Sequence, residues 1–96
     1  MRSKNSKSLT VAEEEWIALV KKQPCSLPPC AAAGPSDAHH IVQGQHFTAV
    51  ALCKDCHQGP RNGWHGRRAM WHLAKFEEVD ALAVTIENVY RELRHG

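Results

Sequence analysis

The sequence predicts a small α+β domain whose fold depends on support from its cysteines. Three observations lead to this prediction: the chain has 96 residues, its four cysteines form two closely spaced pairs, and helical patterns flank short extended segments. A chain of this size buries only about 60–65% of its unfolded surface, so such folds often need additional support. The sequence therefore fits one domain, predicted over residues 9–96, behind a flexible polar tail at residues 1–8.

A first helix is predicted over residues 11–22. Thr10 and Glu13 form a capping-box pattern at its start. Acidic residues follow in the first turn and lysines in the last, as the helix dipole favours. Residues 24–37 contain four prolines, so no regular element is predicted there.

The remaining sequence predicts a hairpin followed by three helices. Residues 38–42 and 46–52 have extended character, and Gly44 offers a turn between them. The helices are predicted to start at Cys53 or Lys54, then near residues 67–74 and 77–94, with a loop at 58–63. The last helix is predicted to present one apolar face, made of Val79, Leu82, Ala83, Ile86, Val89, Tyr90 and Leu93.

The charge of the chain is unevenly distributed. The formal net charge is +2, but residues 54–75 hold five basic residues against one acid, and residues 76–96 hold five acids against two arginines. Affinity for nucleic acid would depend on this local placement, although the charges also fit an ordinary solvated surface. A cytoplasmic protein without membrane contact is predicted, because no apolar run approaches about 20 residues and no secretory signal pattern is present.

The cysteine spacing predicts a structural zinc site. Cys25 and Cys30 are separated by four residues, and Cys53 and Cys56 by two. Four thiolates suit a tetrahedral zinc ion with no open position, and zinc binding would add directly to the folding free energy. The alternatives are four ordinary cysteines, an iron–sulfur cluster, or a thioredoxin-like redox pair, for which the βαβ context is missing.

The histidines, seven in number, are the second group of side chains that could bind a metal ion or take part in catalysis. His39 and His40 are adjacent on a predicted strand, so their side chains point to opposite faces and cannot easily share a role. His57 directly follows Cys56, so zinc binding would fix the position of its ring. His65 follows the predicted loop, and each histidine alone also fits an ordinary surface or core residue.

The run His39-His40-Ile41, followed by Leu52 to His57, resembles the core of the HNH endonucleases. The resemblance extends over about residues 23–75 and implies a zinc-stapled, treble-clef-like ββα-metal core with an N-terminal helix and C-terminal helices. Further positions are similar to phage and prophage nucleases akin to the RecA-dependent recombination-enhancement nuclease, namely Gly44, His46 and residues 58–59 and 63–66.

The resemblance implies that His40 is the general base that takes a proton from water. The family carries an asparagine on the second strand that is missing here. Thr48 occupies about that place and His46 lies close by. What orients the base therefore stays open between Thr48, His46 and a backbone carbonyl.

The resemblance also implies a catalytic divalent cation bound by His39 and His57. His65 would supply a further ligand or contact the scissile phosphate. Imidazole ligands suit Mn²⁺, Ni²⁺, Co²⁺ and Zn²⁺ better than Mg²⁺, which remains compatible. Such a cation would stabilise the charge on phosphorus and the leaving oxygen, while a neutral imidazole serves as the base.

DNA is the implied substrate, and five residues are predicted to contact it: Lys54, Arg61, Trp64, Arg67 and Arg68. No sequence-reading helix is evident, so nicking or weakly specific cleavage is predicted. A RecA-like recombinase is a partner by resemblance only, and the chain would be a monomer or a homodimer. The alternatives are a non-catalytic treble-clef zinc module that binds nucleic acid or protein, and a small metal-storage or redox protein.

Overall fold

The computed structural model describes residues 9–95, so the predicted tail at residues 1–8 lies outside the described residues. Within them the chain is a small α+β unit with a two-stranded sheet and four α-helices. The α-helices are α1 (Val11–Lys22), α2 (Lys54–Gln58), α3 (Ala69–Ala74) and α4 (Glu78–His95). The strands are β1 (Asp37–His40) and β2 (Ala49–Leu52).

Helix α1 has the predicted bounds, and its capping box fixes where it starts. The backbone N–H of Glu13 donates to Oγ1 of Thr10 at 3.1 Å, and the backbone N–H of Thr10 donates to the Glu13 carboxylate at 2.9 Å. These two bonds satisfy N–H groups that have no partner within the helix. The proline-rich residues that follow α1 form no helix or strand before Asp37, as predicted.

The hairpin is shorter than the sequence predicts. Strands β1 and β2 pair antiparallel, with Asp37 opposite Leu52 and His40 opposite Ala49. Residues 46–48, which were predicted as strand, form a 3-10 turn instead, and β1 ends at His40 rather than at residue 42. All four residues of β2 are buried, because other elements cover both of its faces.

The outer edge of β2 is covered rather than left open to solvent. The carbonyl oxygen of Ala51 accepts the backbone N–H of Ser26 at 2.9 Å and its hydroxyl at 2.7 Å. The backbone N–H of Ala51 donates to the hydroxyl of Thr85 on α4 at 3.1 Å. Both polar groups of Ala51 are thereby satisfied in a buried place, where an unpaired group would cost about 1–3 kcal/mol.

The core lies between the sheet, α2, α3 and the inner side of α4. Its buried members include two residues near the start of the proline-rich segment and the indole of one tryptophan: Cys25, Leu27, Val50, Leu52, Cys56, Trp71 and Ala81. The indole N–H of Trp71 donates to the carbonyl oxygen of Cys56 at 3.0 Å, so α3 is tied to α2. None of the helices over residues 9–95 combines the length and the apolar character that crossing a bilayer requires.

The prediction for the apolar face of α4 is wrong in part. The core side of the helix is formed by Ala81, Thr85 and Val89. Five members of the predicted face are instead exposed, namely Val79, Ala83, Ile86, Tyr90 and Leu93. The apolar face is thus offset around the helix from the face that packs on β2.

Candidate functional site

The four cysteines come together in one cluster. Their sulfur atoms all lie within 4.8 Å of one another, and those of Cys30 and Cys53 are 3.6 Å apart. A tetrahedral zinc ion with Zn–S bonds of about 2.3 Å places its sulfur ligands roughly 3.8 Å apart. The donor set and spacing therefore fit a structural metal such as zinc, as the sequence predicts.

The first cysteine pair is positioned by a turn that docks on the sheet. The backbone N–H of Cys30 donates to the carbonyl oxygen of Leu27 at 3.0 Å, which closes the knuckle. Ser26 fastens the knuckle to β2 through its two bonds to Ala51. Since β2 leads directly into Cys53, this docking brings the sulfur of Cys30 to the second pair.

The second pair occupies the start of α2. Cys53 is the N-cap of this helix, and its sulfur accepts the backbone N–H of Cys56 at 3.4 Å. Burial raises the pKa of Cys25 to about 11 and also raises the pKa of Cys56, where the nearby Cys25 adds to the effect. For Cys53, burial is outweighed by hydrogen bonds from Cys56 and the other thiols, which lower its pKa. A bound divalent cation would favour the thiolate form of all of them.

Three histidines form a second cluster beside the first. One ring nitrogen from each of His39, His57 and His65 lies within 4.8 Å of the others. The ring centroids are 5.1 Å apart for His39 and His57, and 5.2 Å apart for the other two pairs. The near-equal distances mean that the three imidazoles surround one point. Because neutral imidazole is the commonest protein ligand for metal ions, this arrangement could hold a cation.

Each member of this histidine cluster comes from a different local structure. His39 is the buried residue of β1, and His57 follows Cys56 on α2. His65 lies in the loop after α2, where its backbone N–H donates to the carbonyl oxygen of His57 at 3.2 Å. The loop turns tightly, since a Cβ atom at Gly63 would lie 2.5 Å from the carbonyl oxygen of Gly59. The two clusters share α2, so the metal that fits the cysteines would also hold His57 in place.

Two carboxylates flank the histidine cluster, and the sequence reasoning missed both. Oδ2 of Asp37 lies 3.1 Å from Nδ1 of His57, and Oε2 of Glu78 lies 2.6 Å from Nε2 of His39. Burial lowers the pKa of His39, although the contact with Glu78 opposes this shift. Side chains two positions apart on a strand point to the same face, so Asp37 lies on the same face of β1 as His39. The sequence therefore contained a signal that places Asp37 near the histidine cluster. Nothing local to Glu78 marks it, because it comes from the first turn of α4.

The implied base, His40, lies apart from this cluster. Its Nε2 is 2.9 Å from Nδ1 of His46, and the ring also hydrogen-bonds the backbone of Ala38. Burial, followed by the nearby His46 and His39, lowers the pKa of His40. The hydroxyl of Thr48 donates to the carbonyl oxygen of Gln45 at 2.9 Å. The sequence leaves three candidates for the group that orients His40. Of these, His46 and a backbone group contact the His40 ring, and Thr48 hydrogen-bonds elsewhere.

The five predicted DNA contacts lie in three places. Arg61 and Arg67 line an open cleft of about 370 Å³ together with Pro60. Arg68 is held by Trp64, because its guanidinium lies 3.7 Å from the centre of the indole ring and its Nε donates to the Trp64 carbonyl oxygen at 2.6 Å. Lys54 is exposed, and its ammonium lies 3.8 Å from Asp37.

Comparison of the chain with protein-family models, with curated proteins and with solved structures yields no match in any of the three. A functional assignment therefore depends on the geometry and chemistry of the two clusters.

Proposed function

We propose that the chain is a metal-dependent endonuclease of HNH type that hydrolyses DNA phosphodiester bonds, with nicking or weakly specific cleavage. One observation carries the proposal: three histidines converge beside the cysteine cluster, while His40 lies on the other face of the strand that carries His39. A structural zinc module needs only the sulfur cluster. The additional imidazoles support a second, chemically active cation.

The histidine cluster fits a cation with open coordination positions. Three imidazoles leave room for water and phosphate oxygens, in contrast to four cysteines, which fill a tetrahedral site. Asp37 contacts Nδ1 of His57, so Nε2 is the nitrogen of this ring that remains for a metal. When bound, a divalent cation would polarise the phosphate and stabilise the charge on the leaving oxygen.

His40 would act as the general base. Its lowered pKa favours the neutral imidazole, and Nε2 would accept a proton from the attacking water in place of its contact with His46. His46 and the backbone of Ala38 limit rotation of the ring, which supports them as the groups that orient the base. Thr48 has its hydroxyl directed to another acceptor, and we assign it no part in the reaction.

The cleft of Arg61 and Arg67 would bind a flanking phosphate of the DNA backbone. Both guanidinium groups are exposed, and backbone contacts of this kind position a duplex without reading its sequence. Trp64 and Arg68 form a stacked pair and would support the loop that carries His65.

A second candidate function is a non-catalytic treble-clef zinc module that binds nucleic acid or protein. The cysteine cluster alone favours it, since a closed sulfur site stabilises a fold without taking part in chemistry.

A plasmid-nicking assay distinguishes the two functions. The zinc-loaded chain is expected to convert supercoiled plasmid into open circles when Mn²⁺ or Mg²⁺ is added, and to lose this activity in EDTA applied briefly enough to leave the zinc bound. Zinc content is measured in parallel. A protein that is folded, retains zinc and fails to nick with Mn²⁺, Mg²⁺, Ni²⁺ or Co²⁺ would refute the nuclease and favour the binding module.

Removal of the Asp37 carboxylate is expected to weaken metal binding at the histidine cluster. Asp37→Ala deprives His57 of the partner that holds its ring, and such outer partners typically contribute about 10–100-fold to metal affinity. Titration calorimetry of Mn²⁺ into the zinc-loaded protein measures the effect, with Glu15→Ala as a control that removes an exposed carboxylate on α1. Equal Mn²⁺ affinity in the two variants would contradict a role for the His57 ring as ligand.

A further inference from the structure

Helix α4 carries an apolar stripe that faces away from the core. The stripe consists of Val79, Ala83, Ile86, Tyr90 and Leu93. Its larger members are strongly exposed, at 66% for Val79, 47% for Ile86, 57% for Tyr90 and 64% for Leu93. The spacing alternates between four and three residues over a length of about 21 Å, which is the pattern of a helix that packs along another helix.

The charges beside the α4 stripe are divided between the two halves of the helix. Asp80 and Glu87 come first, and Arg91 and Arg94 follow, all of them exposed. In a parallel pair the flank that carries these charges would face the opposite flank of the second helix, so Asp80 and Arg94 would not meet. In the antiparallel arrangement Asp80 of one helix faces Arg94 of the other, so the surface is complementary to itself.

The side chains of the stripe complement one another in the same antiparallel register. With a two-fold axis near Ile86, Val79 lies opposite Leu93, and the small Ala83 lies within one residue of the level of the large Tyr90. Glu87 near the axis is already neutralised, because Arg91 donates to its carboxylate at 2.6 Å within the same helix. No net charge would therefore be buried at the centre of the contact.

We propose that two copies of the chain associate through antiparallel packing of their α4 stripes. The contact would bury on the order of 1,000 Å² in total, at the lower end of the range for specific interfaces. A reversible dimer with a dissociation constant in the micromolar range is expected. This inference is independent of the proposed nuclease activity, because it concerns only the shape, apolarity and charge of α4.

Sedimentation equilibrium tests the proposal. At about 100 μM the wild-type chain is expected to approach twice the monomer mass of 10.7 kDa, and to dissociate on dilution. Ile86→Glu would place two carboxylates at the two-fold axis and weaken association by at least about 100-fold. Val11→Glu serves as the matched control, since it places the same charge on an exposed valine at the start of α1. Circular dichroism and zinc content verify that both variants remain folded.

A charge exchange tests the orientation of the two helices. Arg94→Glu would face Asp80 of the second copy and weaken the dimer by about five- to tenfold, and adding Asp80→Lys would recover the affinity. Circular dichroism verifies that α4 remains helical without the bond from the backbone of Glu77 to Asp80. An unchanged dissociation constant in Arg94→Glu would refute the antiparallel arrangement. A wild-type chain that stays monomeric at 1 mM, or an Ile86→Glu variant that dimerises like wild type, would overturn the proposal as a whole.

Discussion

Cys53→Ser is expected to abolish zinc binding and to unfold the domain at 37 °C. The thiol of Cys53 is both a member of the sulfur cluster and the N-cap of α2, so its loss removes a metal ligand and a helix cap together. Metal binding by small domains contributes about 10 kcal/mol or more to folding, which is comparable to the whole stability of a typical domain. Thermal denaturation followed by circular dichroism, together with measured zinc content, quantifies the effect.

Lys54→Ser is the matched control for this loss of fold. It introduces the same residue one position further along, at an exposed side chain that belongs to neither cluster. We expect it to retain one zinc ion and to melt within a few degrees of wild type, because surface substitutions usually change stability by less than about 0.5 kcal/mol. If Cys53→Ser kept its zinc and its melting temperature, the cysteine cluster would not be the element that holds this fold together.

His40→Ala is expected to lower the nicking rate by about 10²–10⁴-fold, which is the usual contribution of general base catalysis. The fold, the zinc content and the Mn²⁺ affinity should remain as in wild type, because His40 is only half buried and lies outside both clusters. Initial rates of plasmid nicking, measured beside Mn²⁺ titrations of the same preparations, separate loss of the base from loss of the metal.

Two control variants accompany His40→Ala. His72→Ala removes an exposed imidazole from α3, outside the histidine cluster. Thr48→Ala removes a hydroxyl that donates to Gln45 rather than to the base. Both should nick at close to the wild-type rate. Equal nicking by wild type and His40→Ala would mean that another group is the base, or that the activity belongs to a contaminating nuclease.

The exposed stripe of α4 shows why periodicity alone misplaced the face of this helix. The sequence places large apolar residues along one side, and burial of that side was the natural expectation. The structure buries the adjacent side instead, where Ala81 is small enough for close approach and the hydroxyl of Thr85 satisfies the backbone of Ala51. Periodicity reports that a helix has an apolar face, but it does not say which neighbour covers that face.

The predictions that rest on contacts between near neighbours in the chain were the accurate ones. The capping box of Thr10 and Glu13 gave the bounds of α1, and the spacing within each cysteine pair, with a turn or a helix start beside it, indicated the sulfur cluster. The 3-10 turn at residues 46–48 departs from its predicted strand because β1 ends at His40 and offers this segment no partner.

The sequence by itself determined the cap of α1, the irregular proline-rich segment and the residues of the two candidate clusters, because these follow from residue type and from spacings of a few positions. Only the tertiary structure decided which carboxylates flank the histidines and which side of α4 remains open. Glu78 reaches His39 across 39 positions of sequence. That contact exists because α4 packs on β2, and the local conformational preferences of the chain do not predict it.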